Sequence, residues 1–366
     1  MSRQKQDRSA FFSVRTVAIS LVLCMGGAAA HAASVSFSHK DWDLSCDNTL
    51  TCRAAGYAAD GEESGSTVLL TRKAGSGEPV ANRVMLAHYS DAQWQKGSAP
   101  ELVIAGRKAG PLSFASDEAW QMNEAQLALF LTALQKDQAI SFRENGSTYA
   151  FSGAGSSAVL LKMDDVQGRV NTPGAILRKG KGSESSVKAP IAAPVINRAP
   201  VVDKSLRPMT AQEDALIRPV LLKVLAADQE PSCSADILSE PWEIARLNQQ
   251  FSLVGAPCWL AAYNAGAAYF VIDNTMQSAP VLVSTSATDY DNGTVSSSMK
   301  GRGLGDCWSY EASVWDGAEF VASERGDTGR CALIRAGGAW VIPEYLSQVV
   351  GPWGCKKAID AAFGDG

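Results

Sequence analysis

At 366 residues, 46% hydrophobic and 19% charged, the chain carries enough apolar material for two globular domains and excludes a disordered, collagenous or coiled-coil protein. Thirty-two glycines beside so low a charged fraction favour short strands and tight turns over long helices. The formal net charge of −5 becomes −8 once the four basic residues and Asp7 of the first 32 positions are set aside, which argues against a nucleic-acid partner.

The N-terminus reads as a cleaved signal peptide over 1–32. Arg3, Lys5, Arg8 and Arg15 form a basic segment, residues 16–30 carry no charge, and Ala30-His31-Ala32 has the small-x-small pattern of a cleavage site. The uncharged run is about 15 residues, short of the roughly 20 that a membrane helix needs, so no stable membrane span is expected after processing. A protein exported in this way meets an oxidising compartment, and periplasmic localisation follows as the expectation.

Residues 33–179 read as an N-terminal α+β domain. Strands are predicted around Trp42 to Cys46, Cys52 to Tyr57, Thr67 to Arg72 and Val84 to Tyr89 from their β-branched and aromatic content. Leu127, Phe130, Leu131 and Leu134 repeat at helical spacing and place a helix over 123–136. Asn145-Gly146 supplies the left-handed turn of a hairpin, and a short helix over 157–163 leads into Asp164-Asp165-Val166-Gln167-Gly168-Arg169.

A linker is expected over 180–205, where Pro190, Pro194 and Pro200 follow a Gly/Ser-rich stretch, with the parts on either side folding separately. Residues 206–366 then read as a second α+β domain. Thr210-Ala211-Gln212-Glu213 is a capping box ahead of a helix that Pro219 should kink or break. A second short helix is expected within 237–251, and the uncharged run 247–272 as a buried β-hairpin. A weak repeat begins at Cys258, Cys307 and Cys331, each followed by a strand, a glycine turn, and an aromatic residue with valine, which predicts three cystine-led hairpins. The fold class is therefore α+β and β-rich: two domains, each an antiparallel sheet of short hairpins covered by one or two helices.

Seven cysteines lie beyond the signal segment. The short loop from Cys46 to Cys52 closes locally, and sequence neighbours suggest Cys233 with Cys258 and Cys307 with Cys331, leaving Cys355 spare. The chain has no C-x-x-C motif, and His39 and His88 lie far in sequence from the C-terminal cysteines, so neither a metal site nor any other cofactor is expected.

Taken together, Trp42-Asp-Leu-Ser-Cys46-Asp-Asn-x-x-x-Cys52-Arg-Ala-Ala-Gly-Tyr57, Met163-Asp-Asp-Val-Gln-Gly-Arg169, Cys258-x-x-x-x-Tyr-Asn264 and Gly305-Asp-Cys307-Trp resemble an exported proteobacterial family known only as domain-of-unknown-function family 1176. The resemblance spans nearly the whole processed chain and implies no assigned activity. The Trp-x-x-x-Cys opening is more faintly similar to invasion-associated locus B proteins, which would imply a β-rich fold and an envelope-related role.

Nucleophile elbows, zincin motifs and phosphate loops do not occur in credible contexts. Asp164, Asp165, Gln167 and Arg169 form the densest polar cluster outside the linker and are the candidate ligand-binding residues. Carboxylates of this kind hold a cation or a sugar, and the arginine clamps an anion. The plainer reading of the same residues is an Asp-capped turn fixed by the arginine. Trp308, Trp315 and Trp340 fall at repeat positions that should fill a core. The expected function is a non-enzymatic binding protein contacting an unknown envelope or periplasmic component. The alternatives are a carbohydrate-active or other hydrolase using Asp164 and Asp165, and an inhibitor of a secreted lytic enzyme.

Overall fold

A computed structural model describes residues 34–60, 65–87, 98–115, 119–227 and 233–351. The expected signal segment, His88 and Cys355 lie outside the described residues.

The N-terminal strands are β1 (Val35–His39), β2 (Trp42–Cys46), β3 (Cys52–Tyr57), β4 (Ser66–Arg72), β5 (Ala81–Leu86), β6 (Glu101–Ile104), β7 (Arg107–Pro111), β8 (Ser113–Phe114) and β9 (Trp120–Gln121). Helix α1 (Glu124–Gln135), the hairpin β10 (Ile140–Glu144) and β11 (Ser147–Phe151), and α2 (Ser156–Val166) follow. The first sheet is antiparallel with order β1-β2-β3-β4-β5-β9-β8, and the second runs β11-β10-β6-β7. Asn123 caps α1 in a reciprocal bond with Gln126, which the periodicity alone did not reveal. Asn145 and Gly146 take φ of 50° and 85°, the paired left-handed geometry that a two-residue hairpin requires.

One face of the first sheet, with Trp42, Leu44, Val68 and Leu70, packs against Phe130, Leu160 and Met163 of the helices and Phe142 and Phe151 of the second sheet. Its other face, with Ala55, Tyr57, Leu69 and Met85, is also buried, but by Ile334, Trp340 and Ile342 from the far end of the chain. A sheet covered on both faces explains why β3 and β4 read as nearly continuous buried runs instead of alternating ones.

The remaining strands are β12 (Val195–Asn197), β13 (Arg207–Pro208), β14 (Glu243–Arg246), β15 (Phe251–Leu260), β16 (Ala265–Asp273), β17 (Val281–Ala287), β18 (Asp289–Asp291), β19 (Thr294–Lys300), β20 (Trp308–Trp315), β21 (Phe320–Asp327), β22 (Ile342–Leu346) and β23 (Gln348–Val350), with α3 (Ala211–Ala227) after β13. They form two five-stranded antiparallel sheets, β13-β14-β15-β16-β17 and β18-β19-β20-β21-β22, and the parallel pair β12-β23. Helix α3 lays Ile217, Leu221 and Leu225 on Trp242, Ile244 and Phe270. On the opposite face Leu253, Tyr269 and Val271 meet Trp315 and Val295 of the neighbouring sheet. The chain is thus α+β and strongly β-rich, with three disulfides: Cys46–Cys52, Cys233–Cys258 and Cys307–Cys331.

Four local expectations need correction. The helix expected within 237–251 is a single turn at Ile237–Ser239 followed by β14, because β14 pairs with β15 and its Ile244 and Ala245 bury between α3 and the neighbouring sheet. Helix α3 runs unbroken through Pro219, since Pro219 and Ala215, whose carbonyl loses its amide partner, both face solvent. Gly266 does not turn the first repeat hairpin. It sits inside β16, where a Cβ would come within 2.5 Å of the Trp259 ring, and the turn is closed by Ala261 N–H donating to the Asn264 carbonyl. The third repeat unit, from Cys331, forms no hairpin: 331–341 is irregular and crosses to the first sheet.

The stretch 180–205 expected as a linker is held along its length. Lys188 N–H donates to Gln167, Ile191 N–H to Thr49, Ala199 N–H to Trp315 and Val202 N–H to Leu247. Backbone bonding supplies here what the Pro- and Ser-rich side chains cannot.

Candidate functional site

Helix α2 is longer than expected and carries Asp164 on its buried face and Asp165 at its exposed one. Asp164 is fully buried. Its Oδ2 accepts from the amides of Ile176 at 2.7 Å and Leu177 at 3.3 Å, and its Oδ1 lies 3.6 Å from Arg72. Burial pushes this carboxyl upward, opposed by those two amides and by Arg72 and Arg169. Asp165 is exposed and pairs with Lys162. Gln167 is buried and donates to the carbonyls of Leu50 and Arg72 while accepting from Arg169. Arg169, also fully buried, donates to Lys73 and Gly75 carbonyls at 3.0 and 2.6 Å. Asp164, Gln167 and Arg169 therefore converge on one buried network that pins 167–177 to the end of β4, and Asp165 is not part of it. The two carboxylates do not face a common space.

The opening motif has an equally internal use. Trp42 donates to the Ser152 carbonyl, and Asp47 accepts from the amides of Thr49 and Thr51 and pairs with Arg53. Asp43 receives both prongs of the Arg330 guanidinium at 2.6 and 2.8 Å, and Arg330 N–H donates to the buried Tyr57 hydroxyl. Asn48 donates to the Leu346 carbonyl and accepts from the Leu346 amide, standing in for a strand neighbour. These contacts join β2 and β3 to the C-terminal sheet. Along the same seam burial pushes the carboxyls of Glu324 and Asp327 above their ordinary range, with Glu344 and Asp43 adding to the effect at Asp327. A raised folded-state pKa means that the stability contributed is fully present below the ordinary values of 4.5 and 3.8 and is lost as pH rises above them. The double variant Glu324→Gln/Asp327→Asn should therefore flatten the decline of the urea midpoint between pH 4 and neutrality, roughly the interval over which such groups discharge. An unchanged profile would remove the seam from that account.

The other two motifs meet at one surface. Asn264 closes the turn between β15 and β16, and its carboxamide both donates to and accepts from the backbone of Lys300 at 2.9 Å. That reciprocal pair ties the hairpin tip to the end of β19 beside 301–306. The glycine-rich loop there is braced in turn: Arg302 pairs with the buried Asp306 carboxylate, Asp306 accepts from the Leu333 amide at 2.8 Å, and Gly337 N–H donates to the Gly305 carbonyl. Trp308 donates to the Gly305 carbonyl, with Lys300 above its ring. On this frame Leu260, Tyr263 and Leu304 stand 71%, 45% and 53% exposed. These apolar side chains at a turn leave to solvent an area that polar residues would expose at less cost.

The repeat that begins at Cys258 accounts for this stretch as a hairpin and does not single out the surface. The available signal was Leu260 and Tyr263 flanking a turn. Asn264→Asp keeps the shape but cannot donate to the Lys300 carbonyl, so it should cost about 1–3 kcal/mol in urea denaturation. A loss no larger than that of a neutral surface change would show that the clamp does not brace the tip.

Fold and site together define a β-rich, cystine-bearing α+β protein whose signature residues serve a seam, a buried polar network and a braced tip. A profile of the family described as "Protein of unknown function (DUF1176)" matches residues 36–345, and the chain belongs to that family. "Uncharacterized protein YpfG" of Escherichia coli (strain K12) is 26% identical over 316 residues, covering 79% of this chain and 86% of the relative. No solved structure matches. Among the described residues no helix is long and apolar enough to cross a membrane.

Proposed function

We propose that the protein is an exported, periplasmic, non-enzymatic binding protein that meets a periplasmic or envelope component through the tip of the β15–β16 hairpin. The observation that carries this reading is the braced tip, with Leu260, Tyr263 and Leu304 exposed on a frame fixed by Asn264 and Asp306. Ordering is already paid before contact, so apolar burial there converts into affinity with little entropic loss. The basic N-terminal segment with its small-x-small site, and the three cystines, support export. The hydrolase alternative loses its proposed pair, since Asp164 is turned inward and Asp165 outward. Inhibition of a secreted lytic enzyme is the second reading, favoured by the same rigid tip.

Pull-down from periplasmic extract, with and without reductant, tests the proposal. The wild-type chain should retain a component that Leu260→Ser/Tyr263→Ser loses, and direct assays of lytic enzymes with the same pair of proteins separate inhibition from other binding. Equal recovery by both proteins, or hydrolytic turnover by a chain that retains nothing, would overturn it.

A further inference from the structure

We propose that the Cys307–Cys331 cystine is a redox latch: opened by a dithiol, it unseats residues 329–341 from the first sheet. This segment has neither strand nor helix, yet it covers Tyr57, Leu69 and Met85 with Ile334 and Trp340. Its backbone leaves that sheet at the end of β21 and returns to it at β22, and between these two junctions the bond from Cys331 to Cys307, the residue that precedes β20, is its covalent cross-link to the sheet. Cys46 and Cys52 are wholly buried, whereas Cys331, like Cys233, is half-buried.

The surroundings make opening the bond a structural event. A Cβ at Gly301 would come within 2.6 Å of Cys307 Sγ and 3.1 Å of Cys331 Sγ, so the backbone of residue 301 closes one side of the cystine. Once the bond is broken, the sulfurs must separate to non-bonded contact, about 3.5–4.0 Å. Asp306, fully buried, places a carboxylate oxygen within 4.8 Å of both sulfurs and disfavours thiolate on either. Cys307 is held beside a sheet strand and against Gly301, whose amide donates to the Cys307 carbonyl. The part that must yield is the irregular segment carrying Cys331, which outside the cystine is held by the Arg330–Asp43 pair and by Trp340 donating to Thr67.

In the reaction, one thiolate of the dithiol attacks Cys331 Sγ, forming a mixed disulfide as Cys307 leaves. The second thiol of the reductant then displaces Cys331. The reductant supplies both electrons and ends as its own disulfide, and its two protons end on Cys307 and Cys331.

The full chain, titrated with dithiothreitol and followed by amide exchange with peptide mass spectrometry of alkylated cysteines, tests the latch. Exchange across 329–341 should rise about tenfold or more as Cys307 and Cys331 become alkylatable, while β2–β4 and β14–β16 keep their protection. Cys307→Ser/Cys331→Ser should reproduce the rise without reductant, and Cys233→Ser/Cys258→Ser should not. Retained protection of 329–341 with the pair open, or loss of protection throughout the chain together with it, would overturn the proposal.

Discussion

Asp164→Ala is expected to lower the unfolding free energy by about 3–5 kcal/mol in urea denaturation, the cost of stranding buried charge, while Asp165→Ala one residue away changes it by no more than about 0.5 kcal/mol. The contrast follows from the orientation of α2. Removing the Asp164 carboxylate leaves Arg72 beside Arg169 with only Glu184 and Glu78 as counter-charges, and leaves the amides of Ile176 and Leu177 without their acceptor. Burial already lowers the pKa of both guanidiniums, and Arg169 lowers that of Arg72 further. Asp165 has only an exposed pair with Lys162 to lose, which is worth little. Equal effects of the two substitutions would mean that the network does not hold 167–177 in place.

Trp340→Ala is the second large effect, expected at about 3–5 kcal/mol. The indole is 5% exposed, packs in the cluster that covers the first sheet, and donates to Thr67 Oγ1 at 2.9 Å. Thr67 in turn donates to the Gly56 carbonyl, so truncation opens a cavity and leaves a buried hydroxyl short of one donor. Because Trp340 lies on an irregular segment, the loss should be accompanied by faster amide exchange across 329–341. A small change in stability with unaltered exchange would show that the far end of the chain does not secure this sheet.

Much of the fold was legible because local signals agreed with it. The Cys46 to Cys52 loop, the Asn145-Gly146 turn, the period of α1, the capping box at Thr210 and the uncharged 247–272 hairpin each follow from short-range chemistry, and each is present. What failed depended on distant partners. Nothing near 237–251 marks it as strand until β15 is beside it, and the irregular path of 331–341 is set by a sheet nearly 300 residues earlier in the chain. The candidate site divides in the same way. Asp164, Gln167 and Arg169 were visible as a polar cluster, but their inward use depends on carbonyls of 50 and 72–75, which spacing does not disclose.

Three asparagines illustrate the difficulty. Asn48, Asn82 and Asn264 each pair with both backbone groups of one residue, Leu346, Met122 and Lys300 respectively. A carboxamide is the side chain that can imitate a peptide unit in this way. An asparagine in the sequence carries no sign of which distant backbone unit it will pair with.

The most direct measurement of the tip's role places a photo-crosslinking phenylalanine analogue at position 263, and in a separate chain at position 165, in cells that export the protein. The account predicts a discrete adduct from 263 and none from 165, with the 263 adduct weakened by Leu260→Ser. Adducts of equal yield at both positions, or at 165 alone, would contradict it.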